Sequence, residues 1–201
     1  MDARQLLLAD HARVHSRAAT GSADLSMEDV LCDGLTDEQL RGRPAAGMNS
    51  VAWLLWHHTR IEDVVVNTLV RAAPEVLDRG GWLDRLGMET RHVGTGSGDD
   101  EVGDFSERVD LVALRTYRDA VGRETQSWLA AADLDTLEEV PDAEGRLAHV
   151  PADIAERGAW LRGFWVGKTG LWLVSFPVIA HGYLHIGEAL VTRARIGAPV
   201  R

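Results

Sequence analysis

His181 and His185 stand four residues apart in VIAHGYLHIGEAL, residues 178–190. On a helix that spacing points two imidazoles the same way, with Cβ atoms about 6 Å apart. It is the spacing with which one helix chelates a metal ion. The flanking residues, Val178, Ile179, Ala180, Leu184, Ile186, Ala189 and Leu190, are apolar. Two imidazoles buried there without partners cost on the order of 1–3 kcal/mol each, so protein acceptors or a metal must satisfy them. Glu188 lies on nearly the same face one turn beyond His185. It is placed to be a fourth ligand, an acceptor for an imidazole N–H, or a salt-bridge partner.

The same spacing occurs in HARVH, which sets His11 and His15 among Asp10, Arg13, Ser16 and Arg17. Those neighbours make it read as a solvated helix face. A third ligand for the 181/185 pair is sought instead on the other apolar helix, where WLLWHHTRIED holds His57 and His58. Adjacent residues are about 100° apart on a helix, so one of the two faces a shared site. The angle count puts His58 nearer the centre of the apolar arc of Val51, Leu54, Leu55, Val65 and Leu69, and His57 at its edge beside Trp53, Ile61 and Val64. Periodicity therefore leans to His58 and leaves His57 open.

The elements that must position these residues read as helices. The first covers roughly residues 2–19 and resumes at 26–33, with Asp24 or Ser26 as cap, followed by a short turn capped by Thr36. The second opens at Asn49 or Ser50 and stops before Pro74. It is apolar over much of its circumference, as a helix buried on more than one side is. Ser106 or Asp110 starts the third, which keeps helical spacing at 111, 114, 117, 121 and 128. The fourth covers about 175–196 and ends at Gly197 and Pro199. Residues 75–105 form a crossover connection whose VGTGSGDDEVGDFS has the composition of a mobile loop. Residues 133–176 read as irregular, with short helices or a small hairpin.

In this order the motifs resemble the DinB/YfiT-like superfamily over about residues 25–195, most closely in DGLTDEQLRGRPAAGMNSVAWLLWHHTRIEDV. The resemblance implies an all-α four-helix bundle with a long crossover connection; the chain reads as one domain over residues 1–201 and departs from the family pattern in an irregular insert before the last helix. It implies a metal held by three histidines, which match His57, His181 and His185 here. Some members use a low-molecular-weight thiol, such as mycothiol or bacillithiol, in transferase or isomerase reactions. The implied function is thus divalent-metal-dependent transfer of such a thiol to, or isomerisation of, a small electrophile, with zinc or nickel the ions that suit nitrogen ligands. The alternatives are hydrolysis with Glu188 as base, and a non-catalytic metal-binding stress protein. Trp160, Phe164, Trp165 and Trp172 can wall a pocket or fill core, and Arg157 and Arg162 can meet a carboxylate or only solvent.

Composition narrows the classes. The 201 residues carry a formal net charge of −10, which argues against a general nucleic-acid binder. No run of about 18 apolar residues occurs, so no membrane span is expected. The single cysteine, Cys32, excludes an intrachain disulfide and fits a reducing, cytoplasmic location. Acids flank it in EDVLCDGLTD, which makes it a poor nucleophile. GTGSG at 94–98 is not GxGxxG after a strand and reads as a flexible loop that does not open a helix directly. The expected partner is a small-molecule substrate, with a two-fold homodimer the default assembly.

Overall fold

The computed structural model of the chain describes residues 2–150 and 153–200, and among them only helices, turns and irregular segments occur. Four long helical elements make the bundle. They are α1 (Ala3–Arg13), α5 (Val51–Asp63) with its continuation Val64–Val70, α9 (Leu111–Ala131), and α14 (His181–Arg195) with the segments that run into it.

Short helices join them: α2 (Arg17–Thr20), α3 (Met27–Cys32) and α4 (Asp37–Arg41) before α5, and α6 (Val76–Arg79), α7 (Trp82–Leu86) and α8 (Asp99–Arg108) before α9. Beyond α9 come α10 (Leu134–Leu137), α11 (Ala143–Ala148), α12 (Trp160–Trp165) and α13 (Gly170–Leu173). The stretch between α9 and the last helix is therefore short helices, with no hairpin among the described residues.

Side-chain caps set several boundaries. Ser50 accepts from the Trp53 amide (3.0 Å), Asp110 from Ala113 (2.8 Å), and Ser26 from Asp29 (3.0 Å). Each oxygen satisfies one amide that the first helical turn leaves without an intrahelical partner. The last bundle helix begins earlier than its sequence suggests, at Gly170, and passes through a π-helical segment, Val174–Ala180. Pro177 lies inside that segment and has no amide to give the helical ladder, which accounts for the widened turn. A second π segment, Val64–Val70, continues α5, and the two pack against each other.

Two apolar clusters give the topology. Leu111 and Leu114 of α9 join Val51 and Leu54 in one, while Leu129 joins Val65 and Leu69 in the other. Helix α9 therefore runs parallel to α5. Parallel neighbours need a long connection, and residues 71–110 supply it. Ile186 and Ala189 lie in the first cluster and Val178 in the second, so α14 runs antiparallel to α5.

Every residue of α5 is buried, including Arg60, Glu62 and Asp63. Arg118 of α9 is likewise buried, donating to Glu28 Oε2 (2.6 Å), Thr59 Oγ1 (3.0 Å) and the Val14 carbonyl (2.5 Å). One guanidinium thus ties α9 to α3, to α5 and to the chain just after α1. Arg118→Ala leaves Glu28 buried without its cation. The expected loss is about 3–5 kcal/mol of stability, read from urea denaturation.

Candidate metal centre

Helix α5 and α14 bring three histidines together. One ring nitrogen from each of His57, His181 and His185 lies within 4.8 Å of the others. His57 projects from the middle of α5 and stacks on Trp53 one turn earlier, with centroids 4.8 Å apart and planes 13° from parallel. His181 and His185 occupy the first two turns of α14, with Nε2 atoms 2.9 Å apart. His58 faces another way. Its ring is 6.4 Å from that of His181, and its Nε2 lies 2.8 Å from where a Cβ on Gly182 would fall. The angle count is right that His58 has the deeper direction; the gathered histidine is the one at the edge of the arc.

Outer partners fix the tautomers. A carbonyl and a carboxylate only accept hydrogen bonds, so the nitrogens facing them carry the protons. His57 Nδ1 donates to the Val93 carbonyl at 2.5 Å. His185 Nδ1 donates to Glu188 Oε2 at 3.0 Å, and the other oxygen of Glu188 accepts from Asn49 Nδ2 at 2.8 Å. Both imidazoles are left with an Nε2 lone pair. Burial keeps His57 neutral, lowering its pKa to about 3, and does the same for His181, lowered to about 2. Glu188 is held below the usual carboxylate range, first by its hydrogen bond with His185. Its position is that of an acceptor behind a ligand rather than of a ligand or a base.

These nitrogens fit a cation. A proton shared by His181 Nε2 and His185 Nε2 would satisfy those two atoms and leave the lone pair of His57 without a partner. A single divalent ion would accept all three.

The site opens into a cavity of ≈ 540 Å³. Trp53, Ile61 and His57 of α5 line it, together with Gly94–Ser97 of the crossover, Trp160, Leu161, Phe164 and Trp165 of α12, and Phe176 and Pro177 of the π segment. Trp165 is also buried core. Trp172 is not part of the lining and stacks on Phe176, with centroids 5.2 Å apart. Arg157 is paired with Glu101 on the exposed surface.

The crossover corrects two expectations. GTGSG does open a helix: Gly98 is the N-cap of α8. Nor is the loop loosely held. Gly94 and Gly96 have φ of +84° and +82°, and a Cβ would lie 2.6 Å from the Trp56 ring and 2.7 Å from Arg157 Cβ. Only glycine fits so close a backbone approach. The first turn of α8 carries Asp99, Asp100 and Glu101, which complement the helix dipole and repel phosphate.

The reading of HARVH as solvated is wrong. His11 and His15 are fully buried. His11 Nε2 lies 2.8 Å and His15 Nε2 2.6 Å from the two carboxylate oxygens of Glu62, which is buried on α5. The polar neighbours mislead because both imidazoles turn inward to the buried carboxylate of Glu62 on α5. The one signal in the sequence was Glu62, a carboxylate in the most apolar helix. This trio also lies within ligand distance of one another. Its hydrogen bonds read differently, however. Gln126 Nε2 donates to the Leu8 carbonyl and to His11 Nδ1, each at 3.0 Å, so His11 carries its proton on Nε2 and gives it to Glu62. Cys32, beside Glu28, has its thiol pushed up to about 12 by burial, in keeping with a poor nucleophile.

A family model described as the DinB superfamily matches residues 25–161. The chain belongs to the DinB superfamily. The matched residues run from just before α3 into α12, so they contain His57 and stop before His181. A solved structure, that of a conserved protein from Enterococcus faecalis, is similar over 98% of both chains at a TM-score of 0.68 and 20% identity, a likeness of fold alone. No curated protein matches the chain. No helix among the described residues is long and apolar enough to cross a membrane.

Burial lowers the pKa of His15 to about 3. The unfolded chain therefore takes up a proton near pH 6.5 that the native state refuses, and stability falls as the pH drops below that value. Urea unfolding in chelator between pH 7 and pH 5 should show this slope. His15→Gln should flatten it by about one proton.

Proposed function

We propose that His57, His181 and His185 hold a divalent metal, zinc or nickel, and that the site uses a low-molecular-weight thiol in transfer to, or isomerisation of, a small electrophile. The observation that supports this most directly is the tautomer pattern. Val93 and Glu188 hold the protons of two imidazoles outward and leave their Nε2 lone pairs facing the third histidine. Bound by three neutral imidazoles, a divalent ion keeps open positions and lowers the pKa of a thiol or water placed there.

The chain's own residues do the rest. Asn49 and Glu188 orient His185, and Val93 orients His57. The aromatic wall and the glycine-held loop line the cavity around the reacting sulfur. In a transfer the S–C bond forms as the bond to the leaving group breaks. The leaving group departs with its electron pair, and the thiol proton passes to solvent. Hydrolysis is the weaker reading, because both oxygens of its candidate base, Glu188, are occupied and its pKa is lowered.

Elemental analysis of protein purified without chelator should find about one divalent ion per chain, and chelation should lower the melting temperature. An absence of metal, with no thermal gain from added zinc or nickel, removes the proposal. His57→Ala should abolish binding while His58→Ala retains it. Loss only in the second would move the ligand to His58. Glu188→Gln should weaken zinc about 10–100-fold in a chelator competition, because it removes the charged acceptor behind His185. Electrophile consumption should require a thiol, tested with mycothiol, bacillithiol and glutathione. Turnover with metal alone would favour hydrolysis.

A further inference from the structure

Val93 stands behind His57 and Glu188 behind His185, but among the described residues no protein group accepts from His181. The Nε2 of His181 faces His185 Nε2 at 2.9 Å. Its Nδ1 must therefore carry the proton if Nε2 is to bind an ion. That Nδ1 is buried and has no hydrogen-bond partner. A ligating imidazole almost always gives its other N–H to a carboxylate, a carbonyl or a water, which fixes the ring and its tautomer. An unmet buried N–H costs about 1–3 kcal/mol. One ligand of the three thus lacks the support that the other two have.

His58 is placed to supply it. Its Nε2 is also buried without a hydrogen-bond partner. That nitrogen lies where α5 meets α14, beside the residue that follows His181. A Cβ on Gly182 would stand 2.8 Å from it and 3.2 Å from Val14 Cβ, so glycine at 182 is what lets the imidazole come so near the backbone of α14. The rings of His58 and His181 are 6.4 Å apart and 79° from parallel. A direct hydrogen bond is out of reach at that separation, and one bridging water spans it. Burial keeps His58 neutral, holding its pKa well below the usual imidazole range, so one of its nitrogens offers a lone pair. The other unpartnered imidazole nitrogen nearby, His15 Nδ1, sits against a different helix: a Cβ on Gly122 of α9 would lie 2.5 Å from it. The Nε2 atoms of His11 and His15 are both engaged with Glu62.

We propose that His58 is the positioning residue for His181: one water accepts from His181 Nδ1 and donates to His58 Nε2, and so holds the Nε2 lone pair of His181 toward His57 and His185. The inference rests on the three-histidine reading of the site. The adjacent histidines of α5 then have different tasks, His57 as a ligand and His58 as the support of another ligand. The test uses the full chain and zinc. Competition with a chelator of known affinity gives the zinc affinity of the unaltered protein, of His58→Leu and of His58→Gln. His58→Leu should still bind one ion per chain but about tenfold more weakly. His58→Gln, whose side-chain carbonyl can accept from the same water, should recover most of the loss. Urea unfolding of the metal-free chains separates this from a merely structural role, which would lower stability and leave the zinc affinity of the folded protein unmoved. Unchanged affinity in His58→Leu overturns the inference, as does an equal loss in both variants. Should His58→Leu fail to fold, the unaltered protein still decides. Long-range nitrogen–proton NMR of its labelled imidazoles, with zinc bound, should find the His58 proton on Nδ1, and a proton on Nε2 overturns the inference. A chain that takes up no zinc removes the three-histidine reading and this inference together, whereas a chain that binds zinc with indifference to His58 removes this one alone.

Discussion

Arg60 is a guanidinium with no access to solvent, and the geometry of the three-histidine site depends on it. It donates to the Arg91 carbonyl, to Asp153 Oδ1 (each 3.0 Å) and to Tyr117 Oη (3.1 Å), with Glu75 Oε2 at 2.9 Å. Those partners belong to the crossover, to the segment after α11 and to α9. The amide of Val93 then donates to the Asp153 carbonyl at 2.7 Å, and the Val93 carbonyl receives the proton of His57. One charge on α5, a single turn beyond His57, thus pins the strand of chain that orients that histidine. A buried ion cluster contributes little net stability, because desolvation offsets its attraction. Its consequence is positional: the crossover has one docked arrangement, and in that arrangement the acceptor of His57 is in place.

The two HxxxH pairs show why spacing alone does not assign chemistry. His181 and His185 sit on α14, whereas His11 is on α1 and His15 just beyond its end, and both pairs lie against α5. What differs is the group behind each ring. Gln126 donates a hydrogen bond to His11 Nδ1, which makes Nε2 the protonated nitrogen and suits it to a carboxylate. Glu188 accepts a hydrogen bond from His185 Nδ1, which leaves Nε2 a lone pair and suits it to a cation. The same spacing therefore yields a clamp that fastens α1 to Glu62 in one place and an inward set of lone pairs in the other. The choice is made by one amide, 115 residues from His11, and by one carboxylate, three residues from His185.

This divides what the sequence shows from what it hides. The helical bundle, the caps at Ser26, Thr36, Ser50 and Asp110, and the buried character of α5 are legible because they are local: a periodicity, or an oxygen three residues before an amide. The gathering of His57 with His181 and His185 was legible only through the family resemblance, since periodicity leaned to His58. The burial of His11 and His15 was hidden because their neighbours are polar and their partner is 47 to 51 residues away. The glycine loop was hidden for a related reason. Its composition suits a flexible chain equally well, and only the rings of Trp53 and Trp56, about forty residues earlier in the sequence, turn Gly94 into a packed wall. The widened turn at Pro177 follows from a missing amide, yet a proline also marks helix ends, and the sequence offers no local means of choosing between the two.

The supports of two of the three histidines come from separate parts of the chain. His57 is held from the crossover, and His185 from its own helix and from Asn49, which immediately precedes the cap of α5. None of these arrangements survives unless the crossover and α14 are both seated on α5. A ligand set assembled in this way exists only in the folded chain, so binding an ion there and seating the crossover are linked equilibria. The coupling has a direction. The lone pairs of His57 and His185 are offered to an ion only while Val93 and Glu188 keep the two protons outward, so an ion drawn to the site favours the seated crossover. The same seating brings Gly94–Ser97 to the cavity, which completes the enclosure in which a substrate would meet the metal.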